Sequence, residues 1–298
     1  MKAVEELRPG YPLAMLCRTA GFSVKTYYYQ KRLAAGPDRH AADREAVLET
    51  WKRHKCCYGY GRLAHALKDE AGVCLDRKTV CRLMKEMGIA GRTARRKYSS
   101  YKGDEHLGIP NELKRDFNPA APCRSFATDV SMFNVKGRWV YLSPIMDLYS
   151  REIVAFSCGA SQGLPLIEDM LADFRRNMAA RGVSLEGSLL HSDMGWQYQH
   201  CIYRSALDRM GMRQSMSRKG NCLDNAIIEI FFGRFKIELF YGQEGKFETA
   251  QDLIDAMPEM IRWYNEERIS KRTGWKPPAA YAAEYESARR VAGALGKA

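Results

Sequence analysis

The sequence predicts an α/β protein: a mixed five-stranded sheet with helices on both faces, preceded by an all-α region with a helix-turn-helix pattern and followed by a helical tail. Three observations predict it. The first hundred or so residues place apolar side chains at helical spacing, broken by Gly and Pro. From about residue 120, short β-type runs begin and then alternate with helical ones. Three acids sit where a purely structural carboxylate is poorly placed: Asp129 in an apolar strand, Asp193 at a strand end, and Glu229 in an apolar helix.

Taken in order, a short helix is expected from Pro12 to Ala20, ended by Gly21. A second, capped by Ser23, runs through Val24, Tyr27, Tyr28 and Leu33. Gly36-Pro37-Asp38 is a break, followed by a helix over about 41–55 with Val47, Leu48 and Trp51 on one face. Cys57 to Gly61 is turn-rich. Arg62 to Ala71 is helical, Gly72 to Leu75 turns, and Asp76 caps a helix from Arg77 to Met87 that Gly88 stops. A helix, a short glycine-containing turn and a second helix opening with Arg77-Lys78-Thr79 form a helix-turn-helix pattern, whose second helix would lie in a DNA major groove. Ordinary helical packing is the competing reading. Ala14 to Lys31 repeats the pattern less clearly. Residues 91–102 are basic with interleaved tyrosines, and Arg95, Arg96 and Lys97 suit a phosphate backbone.

Strands are then expected at Ser125–Asn134, Trp139–Asp147 and Glu152–Cys158, as an antiparallel meander. After them come a helix from Leu164 to Arg181, a strand from Ser188 to Ser192, a helix from Gln199 to Met210 and a strand from Arg213 to Ser217. A long helix follows from about Asp224 to Tyr241. Three strands, helix, strand, helix, strand, helix is the ribonuclease-H-like order. The chain accordingly divides into an N-terminal helical, helix-turn-helix-like segment (1–36), a helix-turn-helix DNA-binding region (37–90), a basic linker (91–119), a catalytic core (120–245) and a helical tail (246–298).

Charge points to a partner. Lys and Arg number 47 against 35 Asp and Glu, a net charge of +12 over 298 residues. Residues 1–110 hold 22 basic and 12 acidic side chains, so one part of the chain carries nearly all the excess. That asymmetry suggests a polyanion, most simply nucleic acid. No apolar run approaches the roughly 18 residues that span a bilayer, so no membrane partner is expected. Glu5, Glu6 and Arg8 near the start do not fit a signal peptide. The expectation is a soluble cytoplasmic protein, associated with the nucleoid. Nine cysteines without a C-x-x-C pair fit no zinc finger or ribbon.

The helix bearing Glu229 adds weight to the acids. Asn225, Glu229, Phe232 and Lys236 fall on one stripe, so a carboxylate and an ammonium two turns apart would face one cleft. That arrangement suits a metal ion at one end and a phosphate at the other.

Specific motifs then stand out: Ala127-Thr128-Asp129-Val130-Ser131, His191-Ser192-Asp193-Met194-Gly195-Trp196-Gln197-Tyr198, Ser217-Arg218-Lys219-Gly220-Asn221-Cys222-Leu223-Asp224-Asn225-Ala226, and Glu229 with Phe231-Phe232 and Lys236. Between Asp193 and Glu229 lie 35 residues. With Tyr58-Gly59-Tyr60-Gly61-Arg62 and Arg82-Leu83-Met84, the chain resembles, over nearly its whole length, bacterial insertion-sequence transposases of the OrfB type in the DDE, retroviral-integrase-like superfamily. The resemblance implies a ribonuclease-H-like integrase catalytic core. It implies that Asp129, Asp193 and Glu229 hold two Mg²⁺ ions, with Mn²⁺ as a substitute, for cleavage and transfer of DNA strands. It further implies that Lys236, Arg218 and Lys219 hold DNA phosphates and that His191 and Asn225 support the site. Its implied partners are double-stranded DNA at element ends and target, further copies of the chain, and an upstream-frame product fused to or associated with it. Two other readings compete: a helix-turn-helix regulator with an inactive core, and a ribonuclease-H-like metal nuclease.

Overall fold

A computed structural model describes residues 2–35, 40–92, 108–218 and 221–295. Helices α1 (Lys2–Leu7), α2 (Leu13–Thr19) and α3 (Val24–Ala35) close on a small core of their own, Val4, Cys17 and Tyr27, with Leu13, Leu16, Phe22 and Val24 packed against it. The sequence reading has no counterpart of α1, because Val4 is its one buried apolar residue and two acids follow it.

Helices α4 (Ala41–Arg53), α5 (Tyr60–Ala71) and α6 (Arg77–Glu86) follow. Gly72 ends α5 at φ 65°, a conformation open to glycine without a Cβ clash. Asp76 caps α6 as expected: its Oδ1 accepts from the N–H groups of Lys78 at 2.7 Å and Thr79 at 3.1 Å. The apolar faces of these helices (Val47, Leu63, Leu67, Val80, Leu83) do not form a separate core. They run into the cluster built from Leu142, Phe235, Leu239 and Trp263, so the N-terminal helices and the sheet share one interior.

The sheet has strands β1 (Ser125–Thr128), β2 (Ser131–Val135), β3 (Arg138–Asp147), β4 (Ile153–Gly159), β5 (Leu189–Ser192) and β6 (Arg213–Met216). The single strand expected over Ser125–Asn134 is interrupted. Thr128 lies opposite Ile145 and Ser131 opposite Leu142, one unbroken register on β3, while Asp129 and Val130 leave the ladder between them. The six segments therefore fill five positions, in the order β4, β3, β1 with β2, β5, β6. β1–β5 and β5–β6 are parallel and the other pairs antiparallel.

Alternation puts Phe126, Ile145, Val154 and Leu190 on one face, under α7 (Leu164–Ala180) and α9 (Cys201–Arg209). The short α8 (Trp196–Gln199) leads into α9. Ala127, Met146, Ile153 and Leu189 line the other face, under α10 (Ala226–Phe235) and α11 (Ala250–Glu266). The tail ends with α12 (Pro278–Leu295). The long helix expected from Asp224 to Tyr241 is composite: a 3₁₀ turn (Cys222–Asn225), α10, and a π-helical turn (Lys236–Phe240). Among the described residues, no helix is long and apolar enough to cross a membrane.

Candidate active site

Strand register brings the first two acids together. Ala127 pairs with His191 across the parallel β1–β5 ladder, so extending that register sets Asp129 beside Asp193, where β1 breaks off and β5 ends. Such strand ends, about 4.8 Å apart, are where α/β sheets carry their chemistry. Each carboxylate is turned by a nearby backbone amide. Val130 N–H donates to Asp129 Oδ1 at 2.7 Å, and Gly195 N–H donates to Asp193 Oδ1 at 2.9 Å. Glycine at position 195 leaves the Asp193 carboxylate its room: a Cβ there would stand 3.0 Å from Asp193 Oδ1 and 2.8 Å from Gln197 Oε1, and those side chains would have to shift.

α10 supplies the third acid. Ile228, Phe231, Phe232 and Phe235 bury its inner side and dock it beside β1. The Asn225 side-chain amide donates to the Thr128 carbonyl at 3.4 Å, holding the helix start next to Asp129. The same residue leaves its buried Oδ1 without a partner. Glu229 follows one turn later, half-buried. Lys236 comes two turns after that acid, its ammonium 5.1 Å from the ring centre of Phe133.

Electrostatics tie these groups into one site. Burial, and next the negative charge of Asp193, hold the Asp129 carboxyl well above the ordinary range; Glu229 adds to this, while the Val130 N–H and Lys236 oppose it. Burial raises Asp193 against the pull of the Gly195 N–H. Burial and then the charge of Asp193 raise Glu229. Lys236 is lowered by burial, with Asp129 opposing. Three carboxyls that each resist ionisation beside the others form a site short of positive charge.

Does this donor set suit a divalent cation? Hard carboxylate oxygens, with an orphaned amide oxygen nearby, fit Mg²⁺ or Mn²⁺ chemically. The arrangement is nevertheless open. Among the described residues, no three Asp, Glu, His or Cys side chains stand close enough to share one ion. In this conformation Asp129 and Asp193 each turn an oxygen to a neighbouring amide.

The other expected site residues have different surroundings. His191 is fully buried between β5 and β6, its ring nitrogens 2.8 Å from Ser215 Oγ and 3.1 Å from Ser217 Oγ. Burial pushes it down to about 4, so it is a neutral packing residue. Arg218 is anchored, although its side chain stays 60% exposed. Its guanidinium makes two bonds of 2.9 Å to the buried Asp224 carboxylate, which also accepts from Arg115 at 2.7 Å. Arg77 lies 3.1 Å from His65 and over the Trp275 ring, whereas Lys78 is exposed at the start of α6. Lys219, Arg95, Arg96 and Lys97 lie outside the described residues.

The sequence reading missed the buried acid Glu238 in the π-helical turn. Arg268 donates to it at 2.6 and 2.9 Å and Arg62 at 2.8 Å. Its carbonyl, freed by the wide turn, accepts from Arg92 at 2.6 Å and Cys57 at 2.9 Å. This knot joins the N-terminal helices, the acid-bearing helix and the tail. An acid within Ile237-Glu238-Leu239-Phe240 carries the same signal that singled out Glu229.

A ribonuclease-H-like sheet with paired strand-end aspartates and a helix-borne glutamate defines an integrase-type core, the class of polynucleotidyl transferases. Known families agree. An HTH-like domain matches residues 38–98, and two integrase core domain families match residues 119–222 and 229–286. The InsK protein of insertion sequence element IS150 from Escherichia coli (strain K12) is 38% identical over 281 residues, 94% of this chain and 97% of that protein. A 31 kDa protein of insertion element IS600 from Shigella sonnei is 32% identical over 276 residues, 91% of this chain and 98% of that one. The transposase for insertion sequence element IS904 from Lactococcus lactis is 30% identical over 248 residues, 81% and 95% of the two chains. Among solved structures, the HTLV-2 integrase catalytic core domain in complex with magnesium superposes with a TM-score of 0.42 at 14% identity, over 55% of this chain and 98% of that one. The chain belongs to the insertion-sequence transposases.

Proposed function

We propose that the chain binds the terminal inverted repeats of its element, cuts the 3′ ends and transfers them to target DNA, with Asp129, Asp193 and Glu229 as ligands for two magnesium ions. The observation that carries this reading is the placement of Asp129 and Asp193 just past the ends of the adjacent parallel strands β1 and β5, beside the Glu229 helix, each carboxyl raised by burial or by its neighbours' charge. Divalent ions held there supply Lewis acidity to the attacking and leaving oxygens of a phosphodiester exchange. The chain's own residues orient the reactants. Gly195 N–H aims Asp193, Asn225 fixes the start of α10 against β1, and Lys236 offers an ammonium to a phosphate beside Asp129. Manganese would substitute for magnesium. Two or more copies would assemble on paired ends in the cytoplasm at the nucleoid, alone or with an upstream-frame product fused or bound.

A purified protein, a labelled terminal-repeat duplex and Mg²⁺ test the reading. Strand-transfer products support it. Cutting without joining assigns a nuclease, and binding without cutting assigns a regulator. Glu229→Gln should abolish cleavage and leave DNA affinity nearly intact, since it removes a metal ligand and no phosphate contact. Undiminished cleavage by that variant refutes the metal assignment.

A further inference from the structure

The matched helix-turn-helix family begins at residue 38, yet α1–α3 form a second unit of that kind ahead of it. α2 and α3 are joined by the four-residue turn Ala20–Ser23, in which Gly21 takes φ 75°. Ser23 Oγ accepts the Thr26 N–H at 3.0 Å and so caps α3. Tyr27 fills the small core, its hydroxyl donating to Glu5 at 2.5 Å, and Lys31 pairs with Glu5 at 3.0 Å. Tyr27 therefore faces inward, and Lys31 folds over the edge of the core onto Glu5.

The opposite stripe faces water. Lys25, Tyr28, Tyr29 and Arg32 recur at spacings of three and four and are all exposed, the two tyrosines at 53% and 52%. Neither α2 nor α3 contains an acid. Large exposed aromatics flanked by cations, on a helix fixed by a preceding helix and tight turn, match the polyanionic walls and base edges of a major groove. Val4, Leu13, Leu16 and Val24 pack on the core of this unit, while Leu7 and Met15 are exposed on α1 and α2 rather than on α3. On α6, Arg77 is engaged by His65 and Trp275 and Arg82 by Glu86 and His40, which leaves Lys78 exposed; on α3, Arg32 lies over the Tyr29 ring of the same face.

We propose that α3 is a DNA-reading helix that enters the major groove, with Lys25 and Arg32 on backbone phosphates and Tyr28 and Tyr29 against base edges. This rests on the reading that the chain recognises its own element ends. The test is the full chain binding a terminal-repeat duplex and a scrambled duplex of equal length across a salt series. Lys25→Ala/Arg32→Ala should weaken both and reduce the slope of log affinity against log salt by about 1.8, two phosphate contacts at about 0.9 each. Tyr28→Ala/Tyr29→Ala should cut the preference for the repeat by about tenfold or more. Alanine is the best helix former, and unchanged melting will show that the fold is kept.

If the wild type prefers the repeat and both α3 variants bind as it does, the inference is overturned alone. The same holds if the loss appears instead in Arg77→Ala/Lys78→Ala. A self-association abolished by the tyrosine variant with DNA affinity unchanged overturns it in favour of a second copy as occupant. A wild type with no preference for the repeat overturns both this inference and the reading beneath it.

Discussion

Replacing Asp193 by Asn should make the metal-free protein more stable, not less. The amide oxygen keeps the bond to Gly195 N–H, the shape is retained, and one negative charge leaves a site where three carboxyls already resist ionisation. Two full charges at the spacing of neighbouring strands, about 4.8 Å, and an effective dielectric of about 20 would repel by at most about 3.5 kcal/mol. Side chains that can splay, and whose burial already favours the neutral acid, keep only part of this, about 1 kcal/mol. A chain of 298 residues unfolds with an entropy near 0.6 kcal/mol per degree at about 2.1 cal/mol/K per residue, so Tm should rise by about 2 °C. Magnesium at about ten times its dissociation constant adds about 1.4 kcal/mol to the wild type, again about 2 °C, and little to the variant. Scanning calorimetry in EDTA and then in Mg²⁺ reads both effects. A variant that melts below the wild type in EDTA, or equal stabilisation of both by Mg²⁺, refutes the assignment of a repulsive cation site.

Glu238→Ala should have the opposite sign, because it strands Arg268, itself 7% exposed, with no counter-charge. A loss of about 3–5 kcal/mol is expected, with a Tm drop of about 5–8 °C; a drop under about 2 °C contradicts the clasp. Glu238 also sets an acid limit. Burial raises its carboxyl, but Arg268 and Arg62 outweigh burial and hold it below the ordinary range. Its stability is therefore present above pH about 4.5 and lost as pH falls through the lowered value, and Glu238→Gln should flatten urea midpoints in that window. Gly195→Ala should keep the fold but slow cleavage by about tenfold or more, since the new Cβ displaces Asp193 Oδ1; wild-type rates would mean that the orientation of Asp193 is immaterial.

Where local chemistry decides structure, the sequence was readable. Asp76 followed by Lys78 and Thr79 is a cap by composition alone, and the apolar period of α7 fixes its buried face. The acids were legible because a carboxylate among Ile and Phe needs a reason to be there. What could not be read depends on contacts made across the fold. The anchoring of Arg218 was not readable, since nothing local shows that Asp224 will turn back onto it with Arg115 from over a hundred residues away. The strand break at Asp129 was hidden because its neighbours are β-formers on both sides. α1 holds its place through Tyr27 and Glu5, a partnership with no periodic signature.

The wide turn at Lys236–Phe240 has a consequence for how this helix tolerates change. It acts as a phase shifter: Lys236 at its start answers to Asp129, and Glu238 two residues on answers to Arg62, Arg92 and Arg268. Deleting a single residue in the regular winding just before it, between Glu229 and Lys236, would rotate everything downstream by about 100°. Glu238 would then swing away from its guanidinium partners while Glu229 kept its post. A one-codon deletion in that short stretch would thus part the helix that carries Glu229 from the clasp that anchors its far end.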